Sequence, residues 1–220
     1  MKLYQSVLAG IFLMPVGAMA QDGLSYTWLE LDYVNLDIDR VGDGGNIADD
    51  FDNGGGIGLQ GSLAITDNLF LFANYSDTEA DANFINDAGM FVPADTDIKK
   101  IDLGIGFHTA ISTSTDLVFA GAYTDTDRDR FRFGATADNS LDDLNDDGSD
   151  GFFVDAALRS QLTPWLEGSV GARYTDIEDV DGVSVIGNLL FELTPALSLN
   201  LGVDAGDELR TWVAGVRLSF

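Results

Sequence analysis

Three stretches of the chain hold residues whose types and spacing could do chemistry. In DLNDDG, residues 143–148, Asp143, Asn145 and Asp147 alternate ahead of Gly148. This is the first half of a calcium loop, with hard oxygen ligands at every second position and glycine at the sharp turn. The second half departs from the motif, because the expected bidentate acid falls on Val154 and Asp155 comes one residue late. Asp150, or Asp49, Asp50 and Asp52 from an earlier acidic stretch, would complete a cage. Without them the segment is a solvated acidic loop, the reading that the broken motif favours. GIGLQG at 56–61 matches the G-x-G-x-x-G of dinucleotide sites. Such a site needs a helix opening at the glycines to meet the pyrophosphate. Here the sequence continues as an alternating strand, so the glycines are read as relief of crowding on a curved wall. His108 is the one histidine and the one neutral-pH acid–base. It lies near a tight turn, where it reads as a hydrogen-bonded interior residue. No catalytic set and no cofactor site emerge; calcium at Asp143, Asn145, Asp147 and Asp150 is the single metal candidate.

The elements that must position these residues are strands. Apolar residues recur at period two, with turn residues between the runs. Ten strands are predicted at roughly 24–37, 55–66, 69–78, 97–111, 116–131, 151–163, 165–176, 183–194, 196–205 and 208–220; eight is the alternative count. Ile57, Leu59, Leu63 and Ile65 point one way, while Gly58, Gln60, Ser62 and Ala64 point the other. A hairpin repeat is visible: DNLFLFANYSDTEAD (67–81) resembles TDLVFAGAYTDTDRD (115–129), with PWLEGSVGARYTDIED (164–179) a looser copy. Tight connections at 66–68, 112–115, 163–164 and 194–196 alternate with longer acidic ones, mainly 38–54, 79–96 and 132–150. All tight turns therefore fall at one end of an up-and-down sheet.

Charge and hydropathy choose the solvent. The formal charge is −26, from 37 acids against 11 Lys and Arg, yet 45% of residues are hydrophobic. That balance argues against nucleic-acid binding, which needs clustered cations, and against acidic disorder. Cysteine is absent, so disulfides and thiol chemistry are excluded. Residues 1–20, with Lys2, an apolar stretch and Ala18-Met19-Ala20, read as a signal peptide cut before Gln21. Residues 21–220 then form the barrel domain. The apolar face is nearly free of charge over about ten residues per strand, the length that crosses the hydrocarbon layer. The other face carries Gly, Ala and Ser with Glu30, Asp155, Arg159, Glu167, Arg173, Glu192 and Arg217. A sheet in lipid must close on itself, because every backbone group needs a partner. Tyr75, Tyr123 and Tyr174 would form an outer aromatic girdle, and Phe107, Trp165, Phe191 and Phe220 an inner one.

Interior pairing follows from the hairpins. Folding about Thr163 puts Arg159 opposite Glu167 and Arg173 diagonal to Asp155. Closing the last strand on the first brings Arg217 near Glu30. Inward Gly58, Ser62, Gly104, Gly106, Ala120 and Ala122 are expected to leave space along one side of the lumen.

Trp212, Val216, Leu218 and terminal Phe220 resemble the carboxy-terminal signal of outer-membrane β-barrels. LSYTWLELDYVNLD (24–37) and GIGLQGSLAITDNLFLFANYSD (56–77) resemble the opening hairpins of a small proteobacterial outer-membrane β-barrel family, often labelled porin-like. The resemblance covers most of residues 24–220 and implies the outer membrane of a Gram-negative bacterium and insertion by the barrel-assembly machinery. It does not specify an activity. Some ten-stranded outer-membrane barrels are surface proteases using acids and a histidine near the loops; His108 is at the opposite end. The expected protein is a monomeric, non-enzymatic barrel of structural or surface-interaction type, touching lipid and lipopolysaccharide. A narrow cation-preferring channel is the alternative, and a surface enzyme ranks last.

Overall fold

The computed structural model describes residues 24–38, 47–51, 54–85, 91–128, 132–133, 148–177, 180–207 and 209–220. Their strands are β1 (Trp28–Ile38), β2 (Ile47–Phe51), β3 (Gly54–Ala64), β4 (Leu69–Ile85), β5 (Phe91–Ala110) and β6 (Thr115–Arg128). They continue as β7 (Arg132–Phe133), β8 (Ser149–Thr163), β9 (Leu166–Ile177), β10 (Val180–Thr194), β11 (Leu197–Ala205) and β12 (Leu209–Ser219). Ten of these form an antiparallel ring in the order β1-β3-β4-β5-β6-β8-β9-β10-β11-β12, closed where β12 pairs with β1 from Trp28↔Ser219 to Ile38↔Leu209. Short β2 and β7 lie outside the ring, paired to the far ends of β4 and β5. The tight turns at 65–68, 111–114, 164–165 and 195–196 share one end.

Burial runs opposite to that of a soluble barrel. Leu31, Leu103, Val185 and Leu201 are 62%, 57%, 57% and 51% exposed. Their neighbours Glu30, Asp32, Asp102 and Asn200 are at most 6% exposed. Apolar rows on the outside and ionised rows on the inside suit a wall bathed in hydrocarbon. In water they would leave a continuous apolar belt uncovered. Trp165 and Phe191 stack at 6.4 Å near the tight-turn end. At the other end, the Tyr123 hydroxyl donates to Asp150 at 3.2 Å, above the belt.

Two expectations need correction. Residues 79–96 are not an open acidic loop: β4 and β5 continue as a hairpin pairing Glu79 with Asp97 and Ile85 with Phe91. The acids alternate with Thr78, Ala80 and Thr96, each at most 2% exposed, so period two persists beyond the membrane wherever water solvates the charged face. The first strand also starts later than expected. Residues 24–27 precede it, and Tyr26 lies inside the mouth at 6% exposure.

Candidate functional site: the barrel lumen

The alternation that sends leucines to lipid sends polar and aromatic side chains inward, and these fill the lumen in layers. At the tight-turn mouth, Tyr26 stacks on His108 with ring centroids 3.7 Å apart and donates its hydroxyl to Asp116 at 2.9 Å. His108 Nδ1 lies 3.0 Å from the same Asp116 oxygen. The Arg159 guanidinium sits 4.6 Å from the Tyr26 ring centroid, in cation–π range. It also donates to the Ser25 carbonyl at 2.9 Å. Ser62 donates to the Tyr26 carbonyl at 2.8 Å, tying this segment to β3. Burial is the main influence raising the Tyr26 phenol; nearby Arg159 opposes it and the Asp116 carboxylate adds to it.

Above the mouth, Arg159 meets Glu167 through two bonds, Nε–Oε1 at 2.5 Å and Nη2–Oε2 at 3.0 Å. Arg217 donates to Glu30 at 2.5 Å and lies over Trp28 at 4.0 Å. Asn200 donates to the other Glu30 oxygen at 2.5 Å. Gln60 donates to Asp32 Oδ2 at 2.8 Å. Higher still, Arg173 makes a fork to Asp155 at 2.7 and 2.8 Å and reaches Asp204 at 2.7 Å. Lys100 pairs with Asp102 at 3.5 Å, and Asp102 also accepts from Thr124 at 2.5 Å and Asn74 at 3.3 Å.

The three predicted ion pairs are brought together, two of them in a different register. Arg173 faces Asp155 directly, and Arg159 pairs across from Ser169, which makes Glu167 its diagonal neighbour. The reason is the turn: the hairpin reverses at Pro164 and Trp165 rather than at Thr163, and a bulge follows Gln161, displacing the register by two. Glu30 lies directly across from Arg217.

The expected free space beside Gly104 and Gly106 is occupied. Phe70 faces Gly106 and Phe72 faces Gly104 across β4 and β5. A Cβ on either glycine would strike the phenyl ring opposite it. The rings continue from Phe72 to Phe153 at 6.3 Å, and Arg173 caps Phe153 at 4.0 Å. Sequence reasoning missed Phe70 and Phe72 because DNLFLFANY is apolar on both faces, and Phe153 because Phe152, Phe153 and Val154 form an apolar run with no alternation. It also missed Asp32, Asp102 and Asp204 as partners, although alternation places all three inward.

Asp143, Asn145 and Asp147 of the calcium motif lie outside the described residues, as do residues 1–20. Gly148 has a positive φ of 121°, a backbone that favours glycine whether or not an ion is bound. Asp150 is exposed and engaged by Tyr123. Among the described residues, no three or more His, Cys, Asp or Glu side chains converge as a metal site.

Residues 6–220 match the family model described as the outer membrane protein beta-barrel domain. The structure is similar to the outer membrane protein OprG from Pseudomonas aeruginosa, with a TM-score of 0.51 and 11% identity over 90% of this chain and 98% of that one. It is also similar to the translocator domain of the autotransporter NalP from Neisseria meningitidis, with a TM-score of 0.49 and 11% identity over 99% and 96%. For Ail from Yersinia pestis the TM-score is 0.36, with 12% identity over 91% and 100%. At such identities the likeness is one of fold. No curated protein matches the chain.

Proposed function

The chain belongs to the outer membrane protein beta-barrel family, and from that premise we propose a structural or surface-interaction role, with the lumen closed to solutes. Its place is the outer membrane of a Gram-negative bacterium. The observation that carries the closed reading is the continuous filling from Tyr26 through Phe70, Phe72 and Phe153 to Arg173. An eight-stranded barrel is just wide enough for side chains to fill, and diameter grows only linearly with strand number, so ten strands leave a lumen that large side chains can still block. In this reading the long connections and the β4–β5 hairpin face the exterior. Their acids meet lipopolysaccharide phosphates through bridging divalent cations, with calcium at the 143–150 loop one such ion. The monomer is the working unit, inserted by the barrel-assembly machinery. No catalytic role is assigned: His108 is held between Tyr26 and Asp116, far from the loops.

One observation favours the second reading, a narrow cation-preferring channel. Inward Glu30, Asp32, Asp102, Asp155, Glu167 and Asp204 outnumber Lys100, Arg159, Arg173 and Arg217. Planar-bilayer recording of the folded protein decides between them. The closed lumen predicts no conductance steps above the lipid background. Reproducible cation-selective steps would replace it with the channel.

A further inference from the structure

The Glu30–Arg217 layer has more negative charge than its side chains balance. Glu30 and Asp32 are neighbours on the inward face of β1, at 1% and 3% exposure, and one guanidinium, Arg217, stands in this layer, paired with Glu30. The adjacent Arg159–Glu167 pair is balanced within itself. With both carboxylates ionised, one surplus negative charge is buried, which is costly without a counter-charge.

The hydrogen bonds locate the imbalance. Among the described residues, two buried side-chain atoms have no hydrogen-bond partner: Asp32 Oδ1 and Asn200 Oδ1. Both residues are 3% exposed. An ionised carboxylate oxygen and an amide oxygen are both acceptors, so neither can serve the other. The Asn200 amide is not free to turn, because its Nδ2 donates to Glu30; flipping it would set oxygen against carboxylate. Asp32 Oδ2 is taken by Gln60, which leaves Oδ1 as the free oxygen.

Asp32, Gly215 and Asn200 form one row across β1, β12 and β11. Gly215 is the gap in this row. A Cβ there would collide with Asp32 Oδ1, so that oxygen lies over the glycine. One strand spacing, roughly 4.8 Å, then separates it from the Asn200 position. That is close to the span of two bonds from oxygen to a cation of calcium's size, about 2.4 Å each, which is also the size of sodium; potassium's bonds are somewhat longer. It is wider than a single O–H···O bond of about 2.7 Å.

We propose that a monovalent alkali cation, sodium or potassium, binds over Gly215 between Asp32 Oδ1 and Asn200 Oδ1, neutralising the surplus charge of the Glu30–Asp32–Arg217 layer. One positive charge balances the layer, and a divalent ion would overshoot it. Water supplies the remaining ligands. The site is independent of whether the lumen conducts, so a conductance result neither supports nor removes it.

The test is thermal unfolding of the folded protein in zwitterionic detergent, with sodium or potassium chloride replaced by choline chloride at constant ionic strength. Melting should rise with the alkali cation by roughly 3–5 °C for each tenfold increase above saturation of one site. Asp32→Asn, which keeps the shape and removes the charge, should abolish the dependence. Gly215→Ala, which fills the space and keeps every charge, should weaken it strongly. If either variant does not fold, the wild-type titration still decides. Melting indifferent to the choline exchange would overturn the proposal, as would an unchanged dependence in Asp32→Asn. A response confined to calcium, or to pH with no cation effect, would also overturn it, the latter by placing a proton on Asp32.

Discussion

Replacing Arg159 by Met isolates the pair that anchors the tight-turn mouth. The substitution keeps most of the side-chain length and removes two bonds to Glu167, one to the Ser25 carbonyl and the charge over Tyr26. The Glu167 side chain is 6% exposed and cannot recover its hydration without local opening. An uncompensated buried carboxylate left by its partner costs about 3–5 kcal/mol, and losing the partly buried cation–π contact adds roughly 1 kcal/mol. At about 2–4 °C per kcal/mol for a chain of this size, the melting temperature should fall by on the order of 10 °C. The paired change Arg159→Met with Glu167→Gln leaves no charge behind, so it should lie within about 2 kcal/mol of the wild type. Unfolding of all four proteins in detergent completes the cycle. A single variant as stable as the wild type, or a double variant equal to the sum of the singles, would refute the reasoning.

Two further perturbations probe the filled lumen. Gly106→Val should force Phe70 aside and cost about 1–3 kcal/mol, and Phe70→Ala in the same chain should recover part of the loss. An undiminished stability in Gly106→Val would mean that the ring does not cover the glycine. Tyr26 has its phenol raised in the folded state, above the unfolded value near 10. The stability it contributes is present below about pH 10 and is lost as pH rises further, when the unfolded chain ionises and the folded one resists. Tyr26→Phe should therefore narrow its stability deficit to the wild type between about pH 9 and pH 11; a constant deficit across that range would contradict it.

Strand positions were legible because period two survives in almost every segment. Predicted limits such as 151–163 and 183–194 differ from Ser149–Thr163 and Val180–Thr194 by a few residues at the loop end. Which side meets lipid was legible too, since charge occupies a single face of each strand through the belt. Register was less so. A two-residue displacement at Pro164–Trp165 exchanges direct and diagonal neighbours without altering which face either residue occupies. The lumen filling escaped because Leu69–Phe72 is apolar on both faces, and alternation cannot say which apolar residues turn inward. The hairpin at 79–96 escapes a sequence reading because clustered acids read as a loop, whereas Ala80 and Thr96 carry the alternation beneath them.

The central claim is that the apolar rows meet hydrocarbon, and the chain's lack of cysteine makes it directly testable. Single cysteines at Leu103, Val185 and Leu201, each carrying a nitroxide in lipid vesicles, report relaxation by oxygen against a water-soluble nickel chelate. All three should show high oxygen and low nickel accessibility. Labels shielded from both reagents, on a protein that stays dissolved without detergent, would contradict the account.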